Sequence, residues 1–324
     1  MRIKPGGDPV DAPCMSRYGI HDDLGALRKS TADGSLQLLY QPEVDLPTGT
    51  IVAMEGLLRW RHASRGLLEP KDFLDLAESS GEMSRIGTWV LYEGITEALI
   101  WSKLPGPTRR LWLNVSRAEL MAPGFVELVG TLIEESGLRD GSLGLELSES
   151  CVVDLGHGAA PLLGRLRDVG VALAIDDFSS WYATLGAIQA LPIDVVKLCQ
   201  KYVRNIATED GGRIVSTIVT QAHRHGLSVV AEGVETWGEA VRLTELGCDR
   251  AHGWLYASAQ RADKARWLLE HGTGWQTASI PLPPPSLPVP MPMGPLLPMK
   301  KIGFAAPVPS TPKLAPLIVP FGDG

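Results

Sequence analysis

The stretch Val171-Ala-Leu-Ala-Ile-Asp-Asp-Phe178 is an apolar run of strand length that ends in two adjacent carboxylates, Asp176 and Asp177. Two like charges at the end of a buried strand repel each other and are costly to desolvate. Asp is also common in turns and helix caps, and a pair standing alone reads that way. This pair has company. Other apolar runs of the chain end in polar residues as well, at Asn114, Glu146, Lys197 and Glu232. Carboxylates gathered around one point call for a divalent cation.

The elements that must position these residues follow from the hydrophobic pattern. A short helix is expected from His21 to Asp33, then strands at Leu36–Pro42 and Ile51–Glu55 with a turn at Thr48-Gly49. Helical spacing runs from Pro70 to Trp101, interrupted near Ser79–Gly81. Strands then alternate with helices: Leu111–Ser116 with about Ala118–Ser136, Leu143–Leu147 with Pro161–Val169, and Val171–Asp177 with Tyr182–Ala190. The series continues with Asp194–Leu198 and Gly211–His225, Ser228–Ala231 and Trp237–Leu246, and Arg250–Leu255 and Ala262–Gly272. Such alternation implies βα units and a mainly parallel sheet. About eight strands over roughly 240 residues fit an α/β fold of the (β/α)₈ TIM-barrel type, whose reacting groups sit at the carboxyl ends of the strands. A doubly wound sheet is the alternative, but no Gly-rich phosphate loop follows its would-be first strand.

Composition bounds the rest. The 324 residues are 44% hydrophobic and 21% charged, as in globular proteins, and a net charge of −7 argues against a nucleic-acid polymer or an anionic membrane as partner. Cys14, Cys151, Cys199 and Cys248 lack metal-type spacing and read as free thiols of a reducing compartment. With no signal-peptide or membrane-spanning segment in the sequence, a cytoplasmic location is expected. Residues 1–20 read as a flexible leader, 21–272 as the barrel domain, and 273–324 as a disordered tail holding more than half of the 25 prolines. The tail's Pro-x-x-Pro spacings match ligands of aromatic grooves on a protein partner, but composition alone favours a plain flexible terminus over that reading.

Taken singly, the polar residues are unremarkable. Glu55 opens the short run Glu-Gly-Leu-Leu-Arg-Trp, Glu146 and Glu149 could be surface charges, Lys197 could snorkel at a barrel rim, and Glu232 and Glu235 could favour a helix amino terminus. Together and in order they form a series: Tyr40-Gln-Pro42, Glu55-Gly-Leu-Leu-Arg59, Asn114-Val-Ser116, Glu146-Leu-Ser-Glu149, Asp176-Asp-Phe178, Val196-Lys197 and Ala231-Glu-Gly-Val-Glu-Thr236. Over about residues 23–260 this series resembles the EAL domain family, the phosphodiesterases of the bacterial second messenger cyclic di-GMP.

The resemblance implies a barrel whose first strand runs antiparallel to the others. It implies that Glu55, Asn114, Glu146 and Asp176 hold one Mg²⁺ or Mn²⁺, and that Asp176 and Asp177 share a second. Glu232 would join the metal ligands and help to hold or activate the attacking water, and Lys197 would orient it. Gln41, Leu57, Arg59, Glu235 and His252 would touch the ligand, Arg59 at a phosphate, and Glu149 and Glu235 would brace neighbouring loops. Hard oxygen donors suit Mg²⁺ or Mn²⁺, and two such ions about 3.5–4 Å apart suit in-line attack on a phosphodiester.

The chain departs from the family pattern in four places. Gly56 stands where Ala is usual, Cys199 where Asp is usual, and His252 where Gln is usual. Ser179-Ser-Trp-Tyr-Ala-Thr-Leu185 replaces a Gly-rich loop through which the resemblance implies a homodimer. Three functions are therefore weighed: hydrolysis of cyclic di-GMP to linear pGpG, reception of cyclic di-GMP with little or no hydrolysis, and a protein-interaction scaffold. The retained acids favour hydrolysis and the altered loop favours reception.

Overall fold

The computed structural model describes residues 17–107, 109–178 and 191–273. Nine strands are described: β1 Leu36–Asp45, β2 Ile51–His62, β3 Gly66–Leu68, β4 Arg110–Asn114, β5 Leu143–Ser148, β6 Ala172–Phe178, β7 Val195–Leu198, β8 Ser228–Ala231 and β9 Arg250–His252. Eight of them close a ring in the order β1-β9-β8-β7-β6-β5-β4-β2, because β1 also pairs with β2. β1 is antiparallel to both its neighbours, and every other contact within the ring is parallel. The barrel, including its reversed first strand, is the one expected from the sequence.

Alternation along each strand sorts the barrel into layers. Ala53, Trp112, Ala172, Ala174, Val195 and Val230 form a buried cluster of their own inside the ring. Most of these stand two positions before a polar residue of the series, so Glu55, Asn114, Asp176, Lys197 and Glu232 share their inward direction and lie above them. Trp112 is the largest side chain of this floor, and the register sets Gly144 opposite it. A Cβ at Gly144 would meet the indole at 2.1 Å, which is why a glycine precedes Glu146 on that face. Below, Arg250 pairs with the buried Glu43 at 3.1 Å. The opposite faces carry Met54, Leu111, Leu113, Leu145, Leu173, Ile175, Val196 and Val229 into the larger core.

The helices are α1 Arg17–Lys29, α2 Leu74–Ser79, α3 Met83–Trp101, α4 Arg117–Leu120, α5 Phe125–Ser136, α6 Glu149–Leu155, α7 Ala159–Asp168, α8 Gln200–Arg204, α9 Glu209–Arg224, α10 Trp237–Glu245 and α11 Ala262–His271. Several bounds differ from the sequence reading. α1 starts at Arg17, so the leader's last four residues are already helical. The single helix expected over Ala118–Ser136 is two: Ser116 and Glu119 cap α4 reciprocally, and Gly124 with φ 82° resets the chain before α5. β3 folds back on β2 as a hairpin, and α6 and α8 start directly from strand ends. β9 stops at His252 rather than Leu255. Gly253 has φ 154°, and a Cβ there would lie 2.2 Å from the Val234 carbonyl oxygen. The helix expected at Tyr182–Ala190, the loop after Asp177 and the Pro-rich tail lie outside the described residues. No helix among the described residues is long and apolar enough to cross a membrane.

Candidate active site

Lys197 on β7 is buried at the centre of the polar layer. Its Nζ lies 2.9 Å from Glu55 Oε2, Glu146 Oε1 and Glu232 Oε1, and 3.7 Å from Asp176 Oδ1. Three strands besides β7, and the residue that directly follows β8, therefore deliver a carboxylate to one ammonium. Asn114 joins from β4, its Nδ2 donating to Glu55 Oε1 at 3.0 Å. His252 joins from β9, its Nε2 lying 3.1 Å from Glu232 Oε1 and 3.7 Å from Glu55 Oε2.

The charges do not balance. Four carboxylates surround one ammonium, with Asp177 adjacent. Lys197 approaches Glu146 outside hydrogen-bond geometry, and both Glu146 oxygens and Asp176 Oδ1 are buried with no hydrogen-bond partner among the described residues. Such orphaned acceptors are rare and mark a missing donor or cation. Carboxylate and amide oxygens fit a hard divalent cation, so Glu55, Asn114, Glu146, Asp176 and Glu232 could hold one. Glu55, Glu232 and His252 present ligand atoms that all lie within 4.8 Å of one another.

The electrostatics divide the acids. Burial, then the neighbouring Glu55, pushes the Glu146 carboxyl well above its usual range. Burial likewise pushes Asp176 up to about 7, and raises Asp177 to a lesser degree. Burial acts the same way on Glu55 and Glu232, but there Lys197 and His252 outweigh it and hold both below the ordinary value. Lys197 is raised well above its ordinary value because Glu146, Glu232, Glu55 and Asp176 together overcome burial. His252 is raised because its hydrogen bond to Glu232 overcomes burial.

Asp177 follows Asp176 directly and would face away under strict alternation. The β6–β7 register shifts between Ile175 and Phe178, and Asp177 takes φ 52°, the one non-glycine positive φ among the described residues. Asp tolerates that region better than most side chains. The result places Asp177 in a hollow of about 390 Å³ lined also by Gln41, Glu232, Glu235, His252 and Trp254. A larger cavity of about 550 Å³ opens on the other side of the ring, where Glu55, Leu57, Asn114, Glu146 and Asp176 reach its wall. The ring thus stands between two recesses.

The remaining expected residues are more peripheral. Gln41 donates to the Ala257 carbonyl oxygen at 3.0 Å, and Glu235 accepts from Gln200 at 3.1 Å. Arg59 is not among the acids: it donates to the Leu58 carbonyl oxygen at 2.8 Å and lies 3.9 Å from Glu69. Glu149 is buried at the start of α6, beside the capping Ser148. The sequence reading overlooked Trp254, which is 73% exposed at the edge of the smaller hollow. A strand drawn through Leu255 hid it; the glycine before it was the available signal.

The sequence profile of the EAL domain matches residues 24–259. This chain belongs to the EAL domain family. The EAL domain here is 33% identical over 246 residues to the bifunctional diguanylate cyclase/cyclic di-GMP phosphodiesterase MucR of Pseudomonas aeruginosa, covering 76% of this chain and 35% of that protein. It is 35% identical over 233 residues to the cyclic di-GMP phosphodiesterase NbdA of the same organism, covering 71% of this chain and 30% of that one. The solved PaMucR phosphodiesterase in complex with c-di-GMP superposes with a TM-score of 0.71 at 32% identity, over 75% of this chain and 98% of that one. The EAL domain of Mycobacterium smegmatis DcpA gives 0.62 at 34% identity, over 73% and 98%. The chain thus spans about a third of the length of the two curated Pseudomonas relatives.

Proposed function

We propose that this EAL domain hydrolyses cyclic di-GMP to linear pGpG with the help of two divalent cations, Mg²⁺ or Mn²⁺. The observation that carries this reading is the ring itself: acids on β2, β5 and β6 and just after β8 converge on Lys197 while Glu146 and Asp176 retain unpartnered oxygens. Two recesses flanking a charged centre suit a ligand with two bases joined through phosphates.

In this reading Glu55, Asn114, Glu146 and Asp176 hold one cation, and Asp176 and Asp177 the other. When bound, the cations supply positive charge to the phosphodiester and lower the pKa of the attacking water. Glu232, kept ionised by Lys197 and His252, accepts the proton of that water. Lys197, whose own acidity is suppressed, stays an ammonium and orients the nucleophile. The water oxygen bonds to phosphorus as the bond to the 3′ oxygen breaks, and that oxygen leaves as a hydroxyl by taking a proton from solvent, to which Glu232 releases the one it accepted. Arg59 turns from Leu58 and Glu69 to hold a non-bridging oxygen through paired hydrogen bonds. Gln41, Leu57 and His252 line the ligand's path, and Glu149 and Glu235 brace the loops around it.

One observation favours reception with weak hydrolysis. Cys199 is the N-cap of α8 and makes no side-chain capping bond. It lies near enough to Asp177 for that carboxylate to raise its thiol, after the larger effect of burial. A carboxylate at this position would both cap the helix and support the site.

The deciding experiment incubates purified protein with cyclic di-GMP and Mn²⁺ and resolves the nucleotides over time. Hydrolysis predicts pGpG from the wild type and none from Glu55→Ala. Cyclic di-GMP that is bound but stays intact would replace this reading with reception.

A further inference from the structure

We infer that His252 is a nitrogen ligand of the cation site and that it turns an otherwise all-oxygen cage into one that selects a transition-metal ion such as Mn²⁺ over Mg²⁺. The inference rests on the cation site proposed above and concerns which ion it takes.

The placement comes from the β8–β9 register. Ala231 pairs with Ala251, so Glu232 and His252, each one residue further on, arrive side by side at the rim. His252 Nε2 is then 3.1 Å from Glu232 Oε1 and 3.7 Å from Glu55 Oε2. Neighbouring ligands of an octahedral ion with bonds of about 2.1 Å sit about 3 Å apart, so these three atoms need only small shifts to share one ion. The His252 side chain is 13% exposed, and its Nδ1 is buried with no partner among the described residues, which leaves Nε2 as the nitrogen in polar company.

The demand for a cation has its own evidence. Glu146 is 1% exposed, and neither of its oxygens is hydrogen-bonded among the described residues even though Lys197 is near. The ammonium lies 2.9 Å from Glu55 Oε2 and Glu232 Oε1, the oxygens His252 approaches. An ion there shares both with Lys197 and adds the positive charge that the unpartnered oxygens of Glu146 and Asp176 call for. An imidazole beside that charge loses its proton on binding it, and the hydrogen bond to Glu232 is exchanged for a bond to the ion. Imidazole nitrogen favours first-row transition ions, whereas Mg²⁺ is best served by oxygen. A glutamine at this position offers only a neutral oxygen or an amide N–H.

The test is electron spin echo envelope modulation on the full-length protein loaded with Mn²⁺, with Mn²⁺ content measured on the same sample. The expected result is ¹⁴N modulation from a coordinated imidazole in the wild type. It disappears in His252→Gln, where Mn²⁺ remains bound and its preference over Mg²⁺ in competition dialysis drops at least about 10-fold. Wild-type protein that binds Mn²⁺ without ¹⁴N modulation would overturn the inference while leaving the cation site standing, and modulation that persists in His252→Gln would assign the nitrogen elsewhere. Wild-type protein that binds no Mn²⁺ would overturn the inference and the cation site together. The wild-type spectrum decides on its own if the variant fails to fold.

Discussion

Lys197 Nζ and Glu146 Oε1 lie 2.9 Å apart inside the barrel, yet no hydrogen bond joins them. Both side chains are at most 1% exposed, so each is fully desolvated. The lysine's hydrogen-bonding is directed at Glu55, and Glu146 gains only the field of the ammonium. The pair therefore lowers the cost of collecting acids in the barrel without removing it.

Replacing Lys197 by Met keeps the volume and deletes the charge. Three carboxylates within 2.9 Å then lose their counter-charge. Loss of one partner of a buried ion pair costs about 3–5 kcal/mol. Thermal unfolding in chelator is expected to show a loss of that size for Lys197→Met, with partial recovery in Mn²⁺. An unchanged melting temperature in chelator would show that the acids are protonated and need no ammonium.

Gly144→Ala tests the floor beneath the ring. The new methyl would lie 2.1 Å from the Trp112 ring, and the indole is enclosed by Ala53, Ala172 and Ala174. Overpacking of this kind costs about 1–3 kcal/mol. Denaturant unfolding is expected to register that loss, and turnover to fall with it because Glu146 is two residues along the same strand. Wild-type stability would mean that Trp112 has room to move.

Glu119 offers a pH test away from the cation site. Burial raises its carboxyl, partly offset by hydrogen bonds from Ser116. A carboxyl with a raised folded-state pKa binds its proton more tightly when folded, so stability falls as pH rises through and above the ordinary value of 4.5. Glu119→Gln retains a capping acceptor and has no proton to lose. The stability of the wild type relative to Glu119→Gln is therefore expected to decrease between acid and neutral pH. Parallel pH profiles would contradict this.

Much of the barrel was legible because a closed parallel sheet imposes a regular alternation of apolar strands and amphipathic helices. The polar residues at the strand ends were legible for the same reason, since each interrupts its run at the same point. Short elements were not. β3, α4, α6 and α8 are each seven residues or fewer and are set by local caps and turns rather than by periodicity. The direction of Arg59 was also hidden, because Glu69 approaches it only after the chain has passed through the β2–β3 hairpin. The meeting of His252 with Glu232 depends on the β8–β9 register, and the left-handed turn at Asp177 on a shift between β6 and β7. Neither can be read from composition or spacing.

Cys199→Asp asks whether lost support limits the reaction. An Asp at an N-cap stabilises a helix by about 1 kcal/mol relative to a residue that cannot cap. The same carboxylate would lie beside Asp177, and groups in that supporting role change activity by about 10- to 100-fold. Turnover of cyclic di-GMP is expected to rise about 10-fold in Cys199→Asp with Mn²⁺ present. An equal or lower rate would show that Cys199 is not what limits this EAL domain.

The most direct test of the whole account is the number of cations bound per chain, measured by equilibrium dialysis against Mn²⁺ with elemental analysis of the protein. The account predicts two Mn²⁺ per wild-type chain and fewer in Glu146→Ala, the variant that removes the orphaned oxygens. A wild type that retains no more Mn²⁺ than Glu146→Ala would contradict it.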